Sequence, residues 1–192
     1  MSFASSDYWE NRYKSGGNSG AGSYGEFCKF KSDVLNDFLK KNKIELTIEL
    51  GCGDGNQLSK IDYNHYVGFD VSSTAITSCK FKFQDNQRYS FTSSISSLPK
   101  TADLMLSLDV IYHLVEDDVY DDYLSNLFKK SSEHVVIYSS NYNTEGSAHV
   151  KHREFLKDVF SRFPEFKHYD TISPPEHLQT TAEFYFFKRK ND

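Results

Sequence analysis

Several features that would assign a protein to a familiar class are scarce in this chain. It has only three cysteines in 192 residues, Cys28, Cys52 and Cys79, and their spacing fits neither disulfide pairs nor a metal-ligand set, which is typical of reduced thiols. No apolar run approaches the roughly 20 residues that a membrane span needs, and the N-terminus has no charged and apolar leader pattern. We therefore expect a cytoplasmic protein without a membrane span.

The charge balance also lacks a basic excess. The net charge is −5, so no overall electrostatic field attracts nucleic acid, and no basic stripe follows the chain. The length suffices for one α/β domain with a sizeable core, and no linker or internal repeat interrupts it. We expect a single domain over residues 1–192 and no nucleic-acid partner. Its oligomeric state stays open.

A strand that runs into a glycine-rich turn is the main positive feature. Residues 47–55 read TIELGCGDG, with glycine at every second position after the strand and Glu49 two residues before Gly51. Such glycines let the backbone approach a ligand closely and direct N–H groups at it. Asp70 ends the next apolar run, where a ribose-binding carboxylate belongs in a βαβ unit. Together these residues predict a site for a nucleoside cofactor.

The glycine string also indicates which cofactor. A dinucleotide fingerprint would need glycine at position 56, where the chain has Asn56, and the Gly-Lys-Ser/Thr of a phosphate loop is absent. The pattern E-x-G-x-G-x-G instead resembles the first motif of class I S-adenosylmethionine-dependent methyltransferases. The resemblance continues with DVS at 70–72 and DLMLSLDVI at 103–111, and covers residues 44–140. It implies an enzyme that transfers a methyl group from S-adenosyl-L-methionine.

Hydrophobic patterning supports an α/β fold. Strands are predicted at 44–50, 65–70, 88–92, 103–108, 134–139, 166–172 and 182–188. Helices are predicted at 6–14, 27–41, 55–61, after Ser72, at 117–130 and at 151–162. The resemblance implies that these elements form a Rossmann-like, doubly wound seven-stranded sheet, mostly parallel and completed by a C-terminal antiparallel hairpin.

The family resemblance assigns cofactor contacts position by position. The three turn glycines would place backbone against the methionine half, Glu49 would organise the turn, and Asp70 would accept hydrogen bonds from both ribose hydroxyls. Adenine would lie beside the loop that holds Ser94 and Ile95. Family members commonly carry an acid near that loop, and this chain has none between Arg88 and Asp103. The expected cofactor-binding residues of the core are therefore Glu49, Gly51, Gly53, Gly55, Asp70, Ser94, Ile95 and Asp109.

The N-terminal string YWENRY at 8–13, followed by a Gly/Ser-rich loop at 15–23, resembles the lid of methyltransferases associated with polysaccharide and glycan biosynthesis. A lid uses aromatics to cover a cofactor, a cation for its carboxylate and glycines as hinges. Residues 1–24 would then be the lid and residues 25–192 the core, with Tyr8 and Trp9 over the cofactor and Arg12 on the methionine carboxylate. The alternative is an N-terminal helix pinned by Trp9, with Arg12 solvated.

Candidate catalytic residues follow the ends of the predicted fourth and fifth strands, where ligands bind in a doubly wound sheet. Asp109 would face the sulfonium or the acceptor, or else cap the turn that begins at Ile111. An alcohol acceptor must lose a proton, and imidazole suits that task. His113, His149 and His152 are therefore candidate bases; the alternative is that they pack or cap helices.

A metal role is a minor alternative for the same residues. His149 and His152, with Asp109, provide ligand types that suit a divalent ion, but the spacing supplies no complete ligand set. We expect S-adenosyl-L-methionine as the cofactor and do not expect a metal.

The acceptor is the least constrained feature. The Asn/Asp-Pro-Pro-Tyr/Phe string of base-modifying amino-methyltransferases is replaced by SLDV at 107–110. The glycan-associated resemblance favours a sugar hydroxyl of a glycan or nucleotide sugar, contacted by Tyr112 and Arg153. Two alternatives remain: O- or N-methylation of another small metabolite, and a non-catalytic module that only binds the cofactor.

Overall fold

The tertiary contacts divide the chain into two units in the computed structural model, which describes residues 3–144 and 149–190. The N-terminal unit spans Ser6–Pro99; the C-terminal unit begins at Lys100 and includes Ser5. Met1 and Ser2, the first residues of the predicted lid, lie outside the described residues. A single domain with a lid over residues 1–24 stays a prediction beside this division.

The N-terminal unit alternates helices with short parallel strands. Its elements are α1 (Ser5–Lys14), α2 (Gly25–Lys41), β1 (Leu46–Leu50), β2 (His65–Phe69), α3 (Ser73–Lys82) and β3 (Tyr89–Thr92). β1 pairs in parallel with β2, and β2 in parallel with β3, so the carboxyl ends of the three strands share one edge. The apolar face of α2 buries Leu35 and Phe38, as its i, i+3, i+4 spacing predicts.

The C-terminal unit holds the longer strands. Its elements are β4 (Ala102–Leu108), α4 (Asp117–Lys129), β5 (Ser131–Ser139), α5 (Phe155–Arg162), β6 (Phe166–Ile172) and β7 (Glu183–Arg189). β5 pairs in parallel with β4 and antiparallel with β7, and β6 pairs antiparallel with β7. Val135, Val136 and Ile137 of β5 are fully buried, because both faces of a central strand are covered.

The strands form one seven-stranded sheet in the order β3-β2-β1-β4-β5-β7-β6. The strand numbering falls from β3 to β1 and rises again from β4, which is the strand order of a doubly wound sheet. Strands β6 and β7 form the antiparallel hairpin at its end. The Rossmann-like fold predicted from the sequence is confirmed. Within the described ranges, no helix is long and apolar enough to cross a membrane.

Two predicted helices differ from the structure. The helix predicted over 55–61 is only a 3-10 turn at Leu58–Lys60, because the glycine backbone up to Gly55 is left-handed (φ 69°) and cannot start a right-handed helix earlier. The helix predicted over 151–162 begins at Phe155. The residues before it are extended, since the N–H of Lys151 donates to the carbonyl of Tyr112 at 2.8 Å.

Candidate cofactor and acceptor sites

The glycine turn after β1 has a backbone that only glycine adopts readily. Gly51, Gly53 and Gly55 have φ of 88°, 56° and 69°, all in the left-handed region. The N–H groups of Gly51 and Cys52 both donate to the carbonyl of Phe69, at 2.7 and 2.9 Å. The turn is therefore fixed to the end of β2, as its position in a βαβ unit predicts.

Asp70 lies directly against this turn. Its carboxylate accepts hydrogen bonds from the N–H of Gly53 and the N–H of Ser72, each at 2.9 Å. Burial raises the pKa of Asp70 to about 6, even though both hydrogen bonds favour the charged form. The structure thus brings together the predicted ribose acid and the predicted glycine turn.

Glu49 points into the interior beneath the turn. Its carboxylate accepts a hydrogen bond from the Tyr66 hydroxyl at 2.5 Å. Burial raises its pKa to about 7, and the Tyr66 hydrogen bond and the charge of Lys31 oppose that rise. These contacts agree with an organising role for Glu49, and its part in cofactor binding stays a prediction.

The segment before α2 packs directly on the glycine turn. The N–H of Ser19 donates to Asp54 Oδ2, and the N–H of Asp54 donates to Ser19 Oγ, both at 2.9 Å. Ser19 Oγ also lies 3.0 Å from the hydroxyl of Tyr13. A Cβ at Gly53 would come within 2.3 Å of Ser19 Oγ and 2.9 Å of Tyr13 Oη. The N-terminal segment therefore covers the turn at contact distance.

Glu10 attaches the same segment to the start of α3. Its carboxylate accepts hydrogen bonds from the hydroxyls of Ser72, Ser73 and Thr74 and from the N–H of Thr74, at 2.6 to 3.2 Å. The Ser72 hydrogen bond is the main reason that the pKa of Glu10 falls to about 2. Our sequence reasoning missed Glu10, Ser19 and Asp54, although Glu10 lies within the string that identified the lid.

The predicted lid residues form a small cluster on α1. The Nε–H of Arg12 donates to the carbonyl of Asn18 at 2.7 Å, and the guanidinium lies 5.6 Å from the centre of the Trp9 ring. Tyr8 and Trp9 make an edge-to-face contact at 5.4 Å. Arg12 is thus partly buried and hydrogen-bonded to the Gly/Ser loop, and both the lid role and the alternative of a solvated Arg12 stay predictions. Contact between these residues and a cofactor stays a prediction.

Exposed apolar side chains occur in the loops that follow β2 and β3. Val71 is 49% exposed and Ile95 is 38% exposed. Their strands are paired neighbours with Phe69 opposite Thr92, so both loops leave the same edge of the sheet. This is the place predicted for adenine at Ser94 and Ile95. Sequence reasoning did not identify Val71 as a candidate cofactor contact. Its position directly after Asp70, as an apolar residue at the end of a strand, could have indicated it.

Asp109 has an unusual backbone at the end of β4. Its φ is 58°, a conformation that costs a non-glycine residue energy and is found at functional sites. Its carboxylate accepts a hydrogen bond from the Tyr112 hydroxyl at 2.8 Å. The residue that precedes the 3-10 turn Ile111–His113 as its N-cap is Val110. The capping alternative for Asp109 is therefore wrong, and its role toward sulfonium or acceptor stays a prediction.

The predicted histidines and two tyrosines form a row of rings in the C-terminal unit. Neighbouring ring centres are 4.6 to 6.1 Å apart along this row. In order, the rings are Tyr142, His152, Tyr112, His113 and His149. The Nδ1–H of His113 donates to the carbonyl of His149 at 3.1 Å, which fixes the tautomer of His113. Sequence reasoning missed Tyr142.

His152 has the most specific surroundings in this row. Its Nδ1 lies 2.5 Å from Ser140 Oγ, and Tyr142 stacks on its ring at 4.6 Å with an angle of 21°. Burial lowers the pKa of His152 below its usual value, so the imidazole is neutral at pH 7. Sequence reasoning also missed Ser140, because no motif marks a serine at the end of a strand.

A metal centre does not form from these residues. In residues 3–144 and 149–190, no three His, Cys, Asp or Glu side chains lie together in a group that could hold a metal. Asp109, His149 and His152 do not form such a group among the described residues, and the expectation that no metal is needed stays a prediction.

Arg153 is engaged by the protein itself. Its side chain is buried, and its guanidinium donates to the carbonyls of Leu114 and Val115 and to Asp117, at 2.5 to 3.2 Å. It also stacks on Tyr120 at 4.4 Å. These contacts favour a scaffolding role, and its predicted contact with the acceptor stays a prediction.

Comparisons with known proteins concern the segment that carries the glycine turn and the fold as a whole. A family model described as "Methyltransferase domain" matches residues 48–130, from β1 to the end of α4. The comparison with curated proteins found no match.

Solved structures share the fold at low sequence identity. The N-methyltransferase NodS from Bradyrhizobium japonicum WM9, in complex with S-adenosyl-L-homocysteine, is 14% identical with a TM-score of 0.73, covering 97% of this chain and 99% of that one. Magnesium protoporphyrin IX methyltransferase from Synechocystis PCC 6803, with bound S-adenosylmethionine, is 13% identical with a TM-score of 0.70 and 99% coverage of both chains. A methyltransferase from Clostridium acetobutylicum ATCC 824 is 13% identical, with a TM-score of 0.63 and coverage of 85% and 92%.

The described fold is the Rossmann-like fold of S-adenosylmethionine-dependent methyltransferases. The segment that carries the glycine turn and Asp70 matches the methyltransferase-domain model and indicates an enzyme of S-adenosylmethionine-dependent methyl transfer. S-adenosylmethionine or S-adenosylhomocysteine is bound in solved structures that share the fold.

Proposed function

We propose that the enzyme methylates a hydroxyl of a small polar acceptor, with a sugar hydroxyl as the leading class. The observation that supports this most is the neutral His152 imidazole beside Ser140, in a wall of tyrosine and histidine rings. Methyl transfer from a sulfonium to an alcohol needs a group that removes the hydroxyl proton. A neutral imidazole performs that step at pH 7.

The N-terminal unit would hold the cofactor. Asp70 would exchange its present N–H partners for the ribose hydroxyls or share them, since a carboxylate accepts several hydrogen bonds. The turn glycines would contact the methionine half through their backbone. Val71 and Ile95 would cover the two faces or edges of adenine, and Arg12 would pair with the methionine carboxylate.

The C-terminal unit would hold the acceptor. Exposed tyrosine rings combine an apolar face with a polar tip, which suits the alternating C–H and hydroxyl surface of a sugar. Tyr142 is 38% exposed, and the centre of the Tyr112 ring lies 5.5 Å from that of His152. His152 Nε2 would take the proton while the cofactor's bond from methyl carbon to sulfur breaks and the new carbon–oxygen bond forms. The products would be the methyl ether, S-adenosylhomocysteine and protonated His152.

A second candidate is N-methylation of a small amine. It is favoured by the strained Asp109, whose carboxylate could pair with an ammonium group, and by the N-methyltransferase among the structural neighbours. An amine acceptor would bind to Asp109 as an ammonium ion and would have to give up a proton, to that carboxylate or to a neighbouring imidazole, before its nitrogen attacks the methyl carbon, because an ammonium nitrogen has no lone pair.

The first test is calorimetric titration with S-adenosylmethionine and S-adenosylhomocysteine, with and without EDTA. Transfer of labelled methyl groups is then measured on paired acceptors that differ only in an amino group or a hydroxyl, such as glucosamine and glucose in free and nucleotide-linked form. Labelling of both members at oxygen supports the leading proposal. Labelling of only the amino sugar, at nitrogen, favours the second candidate. Cofactor binding with no transfer to any hydroxyl compound in a broad panel would contradict the leading proposal.

A further inference from the structure

Ser140 follows β5 directly and is almost fully buried, with 2% of its surface exposed. Its Oγ lies 2.5 Å from Nδ1 of His152, twelve residues further along the chain. The other ring nitrogen of His152, Nε2, forms no hydrogen bond with any residue that the structure describes. The imidazole is therefore held by one nitrogen and leaves the other available.

The loop that carries Tyr142 is fixed to the start of α5 on both sides of the tyrosine. The Oδ1 of Asn141 accepts from the N–H of Leu156 at 3.1 Å. The Oδ1 of Asn143 accepts from the N–H of Glu154 at 3.0 Å, and its Nδ2 donates to the Glu154 carboxylate at 2.8 Å. Such local side-chain hydrogen bonds fix a loop backbone that would otherwise move. They keep the Tyr142 ring against His152.

Two tyrosine rings contact His152 among the residues that the structure describes. The rings that face it are Tyr112, which follows β4, and Tyr142, which follows β5. The Tyr112 hydroxyl donates a hydrogen bond to the carboxylate of Asp109. The adjacent cations in the chain are Lys151 and Arg153, and both pair with Asp117.

We propose that Ser140 is a positioning residue that accepts the Nδ1–H of His152 and so holds the ring in the tautomer whose Nε2 lone pair receives the acceptor proton. A histidine's reactive nitrogen is set by the hydrogen bond that its other nitrogen makes. Ser140 Oγ stays an acceptor after Nε2 is protonated, so the same hydrogen bond stabilises the imidazolium that forms. The catalytic part of this inference rests on the proposed function.

The test uses nitrogen-15 NMR of the full-length protein without ligands, because imidazole ¹⁵N shifts distinguish a protonated from an unprotonated nitrogen. The His152 signals are assigned by their loss in His152→Gln. In the wild type at pH 8 we expect a protonated Nδ1 and an unprotonated Nε2. Ser140→Ala should mix the two tautomers and lower the His152 pKa, and Ser140→Thr should restore the wild-type pattern.

Ser139→Ala is the matched control. Ser139 is the neighbouring residue, is equally buried and has an Oγ without a hydrogen-bond partner among residues 3–144 and 149–190. Its removal should leave the His152 signals unchanged. An unprotonated Nδ1 in the wild type would mean that Ser140 donates, and would overturn the inference. So would a tautomer that Ser140→Ala does not change in a protein whose other imidazole signals are native.

The NMR measurement tests the role of Ser140 independently of the proposed methylation of a hydroxyl. The tautomer is measured without cofactor or acceptor, so a wild-type Nδ1–H that depends on Ser140 stands even if no hydroxyl is methylated. Conversely, hydroxyl methylation with full turnover in Ser140→Ala, at an unchanged pH profile, would refute positioning by Ser140 and leave the proposed function intact.

Discussion

Ser19 and Asp54 exchange two hydrogen bonds across 35 residues of chain: each backbone N–H donates to the side chain of the other, at 2.9 Å. Asp54 belongs to the glycine turn and Ser19 to the Gly/Ser-rich loop. Burial alone would raise the pKa of Asp54, but these hydrogen bonds, with those from Asn56 and Tyr24, lower it. The carboxylate is therefore ionised at neutral pH and holds the loop against the turn.

Asp54→Ala is expected to release the Gly/Ser-rich loop, because it removes hydrogen bonds from Ser19, Tyr24 and Asn56 at once. Amide hydrogen exchange at residues 15–24 should become faster, and proteolysis in that loop should increase. The control is Asp33→Ala, which removes only an exposed ion pair with Lys29. Equal exchange rates in the two variants would show that Asp54 does not hold the loop.

Asp70→Ala is expected to weaken binding of S-adenosylmethionine about tenfold or more, a loss of about 1.4 kcal/mol or more. Binding should also weaken as the pH falls through about 6, because the raised pKa of Asp70 means that its carboxylate becomes protonated there. A protonated acid offers fewer acceptor sites to the ribose hydroxyls. Calorimetric titrations at pH 5, 6, 7 and 8 measure both effects.

Asp70→Asn serves as the pH control, since an amide cannot titrate in this range. Its affinity should be low and should lack the change at about pH 6, and any pH dependence that remains near pH 7 would come from Glu49. A wild-type affinity in Asp70→Ala would refute the ribose role.

His152→Gln is expected to reduce kcat about 100-fold or more, the usual contribution of a general base. The dissociation constant for S-adenosylmethionine should stay within about twofold of wild type, a difference of about 0.4 kcal/mol. Steady-state kinetics with a hydroxyl acceptor and calorimetry provide the two values. His65→Gln, an exposed position at the start of β2, is the control.

His113 is the competing candidate for the base, since its Nδ1–H is held by the carbonyl of His149. If His113→Gln loses turnover and His152→Gln does not, the base is His113. A loss of cofactor affinity in either variant would instead place that residue in the cofactor site.

Arg153→Met is expected to lower the free energy of unfolding by about 2–3 kcal/mol, because it removes the guanidinium donor from the buried carbonyl of Leu114 and the part-buried carbonyl of Val115. Urea denaturation followed by fluorescence measures the loss. If Arg153 is a scaffold, the KM of the folded variant for its acceptor should change little. A large rise in KM with no loss of stability would show that Arg153 contacts the acceptor and would contradict the scaffold role.

Treatment with EDTA is expected to leave methyl transfer unchanged. Asp109, His149 and His152 do not form a ligand group in the part of the chain that the structure describes, and in-line methyl transfer needs positioning more than a Lewis acid. The measurement compares initial rates before and after chelation. Activity that is lost to EDTA and restored by a divalent ion would contradict this expectation.

The sequence was most informative where local backbone chemistry and chain order act together. Glycines after a short strand and an acid at the end of the next strand predicted the turn and the neighbouring Asp70, because parallel strands bring their carboxyl ends to one edge. The doubly wound sheet and its final antiparallel hairpin were predicted from the resemblance to class I methyltransferases and not from the strand patterns alone.

Contacts between distant side chains could not be predicted in this way. Glu10 meets Ser72 across 62 residues, and Ser140 meets His152 through a loop, and neither contact leaves a periodic pattern in the sequence. The left-handed backbone of Asp109 could not be predicted from the sequence either, because most aspartates have a negative φ. The sequence predicted that Arg153 contacts the acceptor, because it follows two candidate histidines. In the structure its side chain is buried and donates hydrogen bonds to backbone carbonyls.

The absence of a side chain at Gly53 has a consequence for how the enzyme could be controlled. Any larger residue would collide with Ser19 and Tyr13, so a substitution there would push against the N-terminal segment. The backbone of Gly53 is also left-handed (φ 56°), a conformation that residues with a side chain rarely adopt. A substitution at position 53 would therefore strain the turn and displace its cover at the same time, which makes the two inseparable for regulation.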